Sequence, residues 1–203
     1  MLLCDIGNTS FHFLDENEDY KEDVKTFDPT SVKKDVYYIC VEPNIRKTLK
    51  ELVNWIDISE KIDMSKYYNT MGIDRIVACE AVQNAVVVDA GSAITVDVVK
   101  NSIFQGGFIY PGSRAMNLTY KNISSALDYK FNYDLDTTKL PKNSQDAISY
   151  GYLKLLYSEV VSYKLPIILT GGDAFLFKNI FKDAEINERL IFEGMKKLIE
   201  TTA

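Results

Sequence analysis

The chain has 203 residues, 46% hydrophobic and 26% charged, with a net charge of −6, enough for one large or two small domains. The acidic balance weighs against nucleic-acid binding, which rests on phosphate neutralisation by Lys and Arg. No apolar run approaches the roughly 18 residues that cross a bilayer, and an N-terminus that meets Asp5 without a basic stretch does not read as a signal peptide.

Met1-Leu2-Leu3-Cys4 is an apolar run leading into Asp5-Ile6-Gly7-Asn8-Thr9. Strands are expected over residues 1–5, 10–16 and 22–27, with a turn at Asn17-Glu18-Asp19. His12, the single histidine, lies in the alternating second run and reads as a strand side chain. Multi-histidine metal sites are excluded, and acid–base work falls to a carboxylate, Lys or Tyr. Cys4, Cys40 and Cys79 are widely spaced with no CxxC, which predicts reduced, mostly buried thiols and a cytoplasmic protein. Val36–Val41 reads as a buried strand, and Pro43 suits a helix start. Ile45, Leu49, Leu52, Val53 and Ile56 recur at helical spacing. Residues 57–66 have no clear period.

A helix is predicted from Gly72-Ile73-Asp74-Arg75 to about Asn84. Asp74 and Arg75 then occupy its first turn, where unpaired N–H groups favour an anion. Arg75 opposes the dipole preference there, which favours a specific anionic partner. Val86–Asp97, VVVDAGSAITVD, repeats the N-terminal construction: a strand-like run, a turn with Gly and Ser, and a second strand. D-A-G-S-A aligns with D-I-G-N-T, so the chain carries a duplicated hairpin with two N–H-rich loops suited to phosphate. Gly106, Gly107, Pro111 and Gly112 mark backbone that bends or closely approaches something. Helices follow over 113–127, from a Ser144 cap onward for about 20 residues, and from about Glu185 to Glu200, with a loop at 128–143. Pro166–Leu169 is a buried strand ending in Thr170-Gly171-Gly172-Asp173-Ala174 before another helix start.

Two D-x-G hairpin loops and a strand–GGDA–helix unit resemble the sugar kinase, Hsp70 and actin superfamily. This implies an α/β chain of two ribonuclease-H-like (actin-like ATPase) domains, with mixed sheets flanked by helices and an ATP cleft between them. The division is expected at 1–84 and 85–203. Within that superfamily the chain is similar to type III pantothenate kinases, most specifically through Gly72-Ile73-Asp74-Arg75. Asp89-Ala90-Gly91-Ser92-Ala93, Gly107–Gly112, Asn143-Ser144 and Thr170–Ala174 also carry the resemblance.

The resemblance implies ATP-dependent phosphorylation of pantothenate to 4′-phosphopantothenate, the first step of coenzyme A synthesis. Asp5, Ile6, Gly7, Asn8, Thr9, Ser10, Phe11 and His12 would form the first phosphate loop, with Asp5 near Mg²⁺ or another divalent cation. Asp74 would accept the proton of the substrate hydroxyl. Gly72, Ile73, Asp74, Arg75, Ser144 and Tyr68 (or Tyr67) would bind pantothenate. Ser92, Gly171 and Gly172 would contact ATP, and Asp89 would help hold K⁺ or NH₄⁺. Arg75 would hold either the substrate carboxylate or the transferring phosphoryl group. A homodimer with neither nucleic acid nor membrane as partner is implied.

Ser92 and Ser144 stand where the family often has Thr, and each keeps a hydroxyl. The chain is short for the family, with a shortened Tyr-to-GxDR spacing. Two rivals are a non-catalytic transcription accessory relative and a superfamily kinase or ATPase with another acceptor.

Overall fold

In the computed structural model, which describes residues 1–201, the chain forms two compact units. The first is Met1–Val82 together with the segment from Arg189 onward, and the second is Gln83–Glu188. The expected division at 84/85 falls close to the first boundary, but the C-terminal helix joins the first unit.

In the first unit, β1 (Leu2–Ile6) is central. It pairs antiparallel with β2 (Ser10–Asp15) and parallel with β4 (Val36–Cys40). β3 (Glu18–Asp23) and β5 (Trp55–Asp57) complete the order β3-β2-β1-β4-β5. Leu3, Cys4 and Ile6 are fully buried, as a near-continuous apolar central strand requires. β3, exposed throughout and almost entirely charged, closes one edge against further pairing. It begins earlier than the expected 22–27, because Asp15 pairs with Glu18 across a tight turn that puts Glu16 at a φ of 54°.

α1 (Pro43–Leu49) starts on Pro43, with the Glu42 carboxylate accepting from the Ile45 N–H at 2.8 Å. The periodic pattern beyond Leu49 is not helix. Leu52 and Trp55 pack on the same core from a turn, Trp55 opens β5, and Val53 is 99% exposed. α2 (Ile73–Ala81) packs against α6 (Leu190–Glu200), the C-terminal helix. A Cβ on Gly194 would collide with the Val77 carbonyl, so the two helices meet at backbone distance.

The second unit repeats this plan. β6 (Ala85–Ala90) pairs antiparallel with β7 (Ala93–Lys100) and parallel with β9 (Ile167–Thr170). β8 (Ile103–Pro111) and β10 (Glu185–Ile186) close the edges. The order β8-β7-β6-β9-β10 reproduces β3-β2-β1-β4-β5 strand for strand. α3 (Ser113–Ile123), α4 (Ser144–Ser162) and α5 (Ala174–Lys178) belong to this unit, whose core includes Val86, Val88, Tyr152, Leu156, Leu169 and Phe177. Glycines in and just after β8 mark both kinds of feature expected: Gly106, at a φ of 133°, adjoins a bulge opposite Val98/Val99, and Gly112, the residue after the strand, makes a close approach. Glu185 and Ile186 form an edge strand, so the last helix begins at Leu190.

Candidate active site

The duplicated aspartates take the same position in their sheets. Asp5 precedes the last residue of β1, with His12 and Ile39 as register partners. Asp89 precedes the last residue of β6, opposite Thr95 and Thr170. Beyond them Gly7 N–H donates to Ser10 O and Gly91 N–H to Ala93 O, each at 3.0 Å, closing tight loops. Asn8, Thr9 and Ser92 sit exposed at the tips, outside the sheet ladders. The stretch expected for the first phosphate loop is not uniform. Ile6 and Phe11 place their side chains in the core. His12 turns to Asp19, with Nε2 at 2.6 Å from Oδ1 and its ring edge-on to Phe192. The Phe11 side chain is taken up by the core and the His12 side chain by Asp19 and Phe192, so the Gly7–Ser10 backbone is what this stretch offers to a phosphate.

Three glycine-bearing turns converge within the second unit. Gly171 has a φ of 86°, and a Cβ there would strike the Asp89 carboxylate and lie 2.6 Å from Ala90 O. Asp173 N–H donates to that same Ala90 carbonyl at 2.9 Å. A Cβ on Gly112 would lie 2.5 Å from Gly91 O. Only glycine lets these turns close on the Asp89–Ser92 loop.

Asn143, not Ser144, caps α4: its side chain accepts from Asp146 N–H at 2.9 Å. Ser144 is the first helical residue and is exposed. The 128–143 segment is tied to this helix start. Asn132 Nδ2 donates to Asp146 at 2.8 Å, and Phe131 stacks on Tyr152 with centroids 4.5 Å apart. Hydrogen bonds from Asn132 and Asn143 hold the Asp146 carboxyl below its ordinary range.

At the start of α2, Gly72 is the N-cap and offers no side chain to the helix amides. Asp74 folds back to accept from Arg75 N–H at 2.9 Å. A Cβ on Gly72 would stand 2.5 Å from Asp74 Oδ1, so glycine makes the room for this carboxylate. Arg75 is 6% exposed and donates from Nη1 to the Tyr68 hydroxyl at 2.7 Å. The guanidinium also lies 6.0 Å from the Tyr68 ring centroid, within cation–π range. Tyr67 points elsewhere, donating to Glu80 Oε1 at 2.9 Å. Tyr68 is thus the tyrosine grouped with Asp74 and Arg75. Glu80 carried no signal in the sequence beyond being a charged helix residue.

No described group of three or more His, Cys, Asp and Glu could hold a metal ion by itself. Asp5 beside a phosphate-type loop still fits Mg²⁺, which binds through one or two carboxylates with substrate phosphates and water completing its shell. Burial, and then Asp5, push the thiol of neighbouring Cys4 well above the ordinary range.

Two copies of one sheet plan, each with an aspartate before a glycine loop, define the actin-like ATPase fold. A solved Sinorhizobium meliloti protein, described as a 2-dehydro-3-deoxygalactonokinase, shares that fold at 9% identity and a TM-score of 0.54, covering 99% of this chain and 98% of its own. The family model for type III pantothenate kinases matches residues 31–163. The type III pantothenate kinase of Sulfurimonas denitrificans is 60% identical over 200 residues, covering 98% of each chain. That of Campylobacter jejuni is 38% identical, over 98% of this chain and 97% of its own. A solved C. jejuni protein, described as a Baf family transcriptional activator, is 37% identical with a TM-score of 0.89, covering 100% of this chain and 98% of its own.

The chain belongs to the type III pantothenate kinase family. Such kinases use ATP with a divalent cation. The short length is shared with these relatives. Among the described residues no helix is long and apolar enough to cross a membrane.

Proposed function

We propose that the chain transfers the terminal phosphoryl group of ATP to the primary hydroxyl of pantothenate, giving ADP and 4′-phosphopantothenate. The observation that carries this reading is the group at the start of α2: a glycine that admits the Asp74 carboxylate, with buried Arg75 under Tyr68. Asp74 orients the substrate hydroxyl and takes its proton as the oxygen bonds to phosphorus; the phosphoryl group leaves the ADP oxygen and the proton stays on the carboxylate. Phosphoryl transfer needs positioning and charge neutralisation more than a strong base. A cation and a phenol together suit the carboxylate end of pantothenate, and that is the role assigned to Arg75 and Tyr68, with Gly72 and Ile73 providing backbone and Ser144 a further hydroxyl. The Gly7–Ser10 and Gly91–Ser92 loops hold the phosphates, and Gly171-Gly172 lies by the adenosine. Asp5 would hold the divalent cation, which when bound would supply neutralisation of phosphate charge.

Asp89 helps hold K⁺ or NH₄⁺ beside the second loop. The chain acts as a homodimer. Ile109 on edge strand β8, with Leu118 and Ile123 on α3, leaves apolar side chains more than half exposed for such a contact. Three free, buried cysteines suit the cytoplasm. A second reading, transcription accessory without catalysis, is favoured by the description of the solved C. jejuni relative. The net charge of −6 weighs against its contacting DNA directly.

ADP release from the purified protein with Mg²⁺ and ATP tests the proposal, with and without pantothenate, in potassium and in sodium buffer. Pantothenate-dependent release stimulated by potassium is expected. Release that ignores pantothenate indicates another acceptor, and no release in any buffer favours the second reading.

A further inference from the structure

Tyr67 and Tyr68 diverge along α2. Tyr67 is extended, with φ −132° and ψ 161°, so consecutive side chains leave the backbone in opposite directions. Tyr68 reaches Arg75 in the first turn of the helix. Tyr67 reaches Glu80, five residues further on and so about 7.5 Å along the axis at 1.5 Å per residue.

Glu80 is a junction. Its carboxylate is 17% exposed, accepts from the Tyr67 hydroxyl at 2.9 Å and lies 3.7 Å from Lys66 Nζ. Its backbone carbonyl accepts from Lys197 Nζ of α6 at 2.6 Å. Turn bonds also hold the segment it grips, among them Lys66 N–H to Asp63 O and Tyr67 N–H to Met64 O, each at 3.2 Å, and Met71 N–H to Tyr68 O at 3.0 Å. Tyr68 itself is 44% exposed. An exposed ring on a short loop keeps its place only if the loop keeps its own.

We propose that Glu80 is a positioning residue for pantothenate: through Tyr67 it fixes the 66–68 segment so that Tyr68 stands over Arg75 before substrate arrives. The inference rests on the proposed assignment of Tyr68 and Arg75 to pantothenate. A preorganised pair binds more tightly than one that must be ordered on binding. The effect therefore falls on pantothenate, not on ATP or on the chemical step.

The test is steady-state kinetics on the full-length protein with E80A, E80Q, Y67F, the double variant Y67F/E80A, and Y68F. E80A and Y67F are each expected to raise KM for pantothenate roughly threefold to tenfold, the loss of one hydrogen bond. KM for ATP and kcat should stay within about twofold. The double variant should be no worse than E80A alone, because both substitutions cut one link. E80Q, whose amide oxygen still accepts from Tyr67, should recover most of the wild-type KM. A structural role alone predicts something else: kcat and both KM values shifting together with the melting temperature, and no rescue by E80Q. Either that pattern, or additive effects in the double variant, overturns the proposal. Y68F separates the two layers. If Y68F leaves KM for pantothenate unchanged, the site assignment itself is wrong. If Y68F raises it while Y67F and E80A do not, only the role of Glu80 fails.

Discussion

Asp74 owes its place to the residue two positions before it. At Gly72, with φ −61° and ψ 140°, any residue could adopt the backbone, so conformational freedom is not what glycine contributes. Space is: a Cβ would stand 2.5 Å from Asp74 Oδ1. Gly72→Ala should therefore fold, with a stability change within about 1 kcal/mol, the range of N-cap exchanges. It should still lose up to about a hundredfold in kcat, since a misplacement of about 1 Å can cost that much. Melting curves beside turnover rates check this, and parallel losses in both would refute the steric account. Asp74→Asn keeps the shape and removes the proton acceptor. It should lower kcat by about 10² to 10⁴, the usual contribution of a positioned general base, with little change in KM for ATP. Turnover near wild type would remove Asp74 from the chemistry.

Within elements, the sequence was most readable where one periodicity had one structural answer. β1 and β6, with their glycine loops, follow from apolar runs ended by Asp and Gly, and the alignment of the two runs anticipates the repeated sheet order. Reading failed where one spacing serves two structures. Ile45, Leu49 and Leu52 suit a helix, yet the chain leaves it at Leu49 because Trp55 is wanted in the sheet. The pairing of Tyr67 with Glu80 and of Tyr68 with Arg75 had no local signal either, since both depend on how a loop lies along α2.

His12 was legible as a strand residue, and its environment in β2 gives a pH effect. Burial lowers its pKa from 6.5; Lys21 and Arg189 add to this, and the hydrogen bond and charge of Asp19 oppose it. The folded chain thus refuses a proton that the unfolded chain accepts. The His12 contribution is complete above pH 6.5 and is lost as the pH falls from 6.5 through the lowered folded value. Carboxyls held low by hydrogen bonds, such as Asp63 and Asp146, lose their contributions only below their ordinary 3.8. His12, the single histidine of the chain, contributes a decline in stability as the pH falls below 6.5. Urea midpoints measured across this window should fall for the wild type and flatten in His12→Gln. An unchanged slope in the variant would place the titration elsewhere.

For the whole molecule, chain order and spatial order part company at α6. Nothing in its amphipathic pattern says which sheet it serves, so a simple division of the sequence into halves assigns it to the second unit. It instead belongs with α2, where Gly194 allows backbone contact with Val77. Phe192, Met195 and Leu198 are buried there, two of them completely. Each such side chain contributes roughly 1.5–3 kcal/mol by burial. Their sum is comparable with the 5–15 kcal/mol that holds a typical domain together. The second unit is one uninterrupted stretch, Gln83–Glu188, with its own core. A chain ending at Glu188 should therefore lose the first unit and retain the second. Hydrogen exchange resolved by peptide checks this directly: rapid exchange is expected throughout β1, β4 and α2, with protection persisting in β6, β7 and α4. Protection of β1 in the truncated chain would show that α6 only covers the first unit, and loss of protection in β6 would show that the second cannot stand without it.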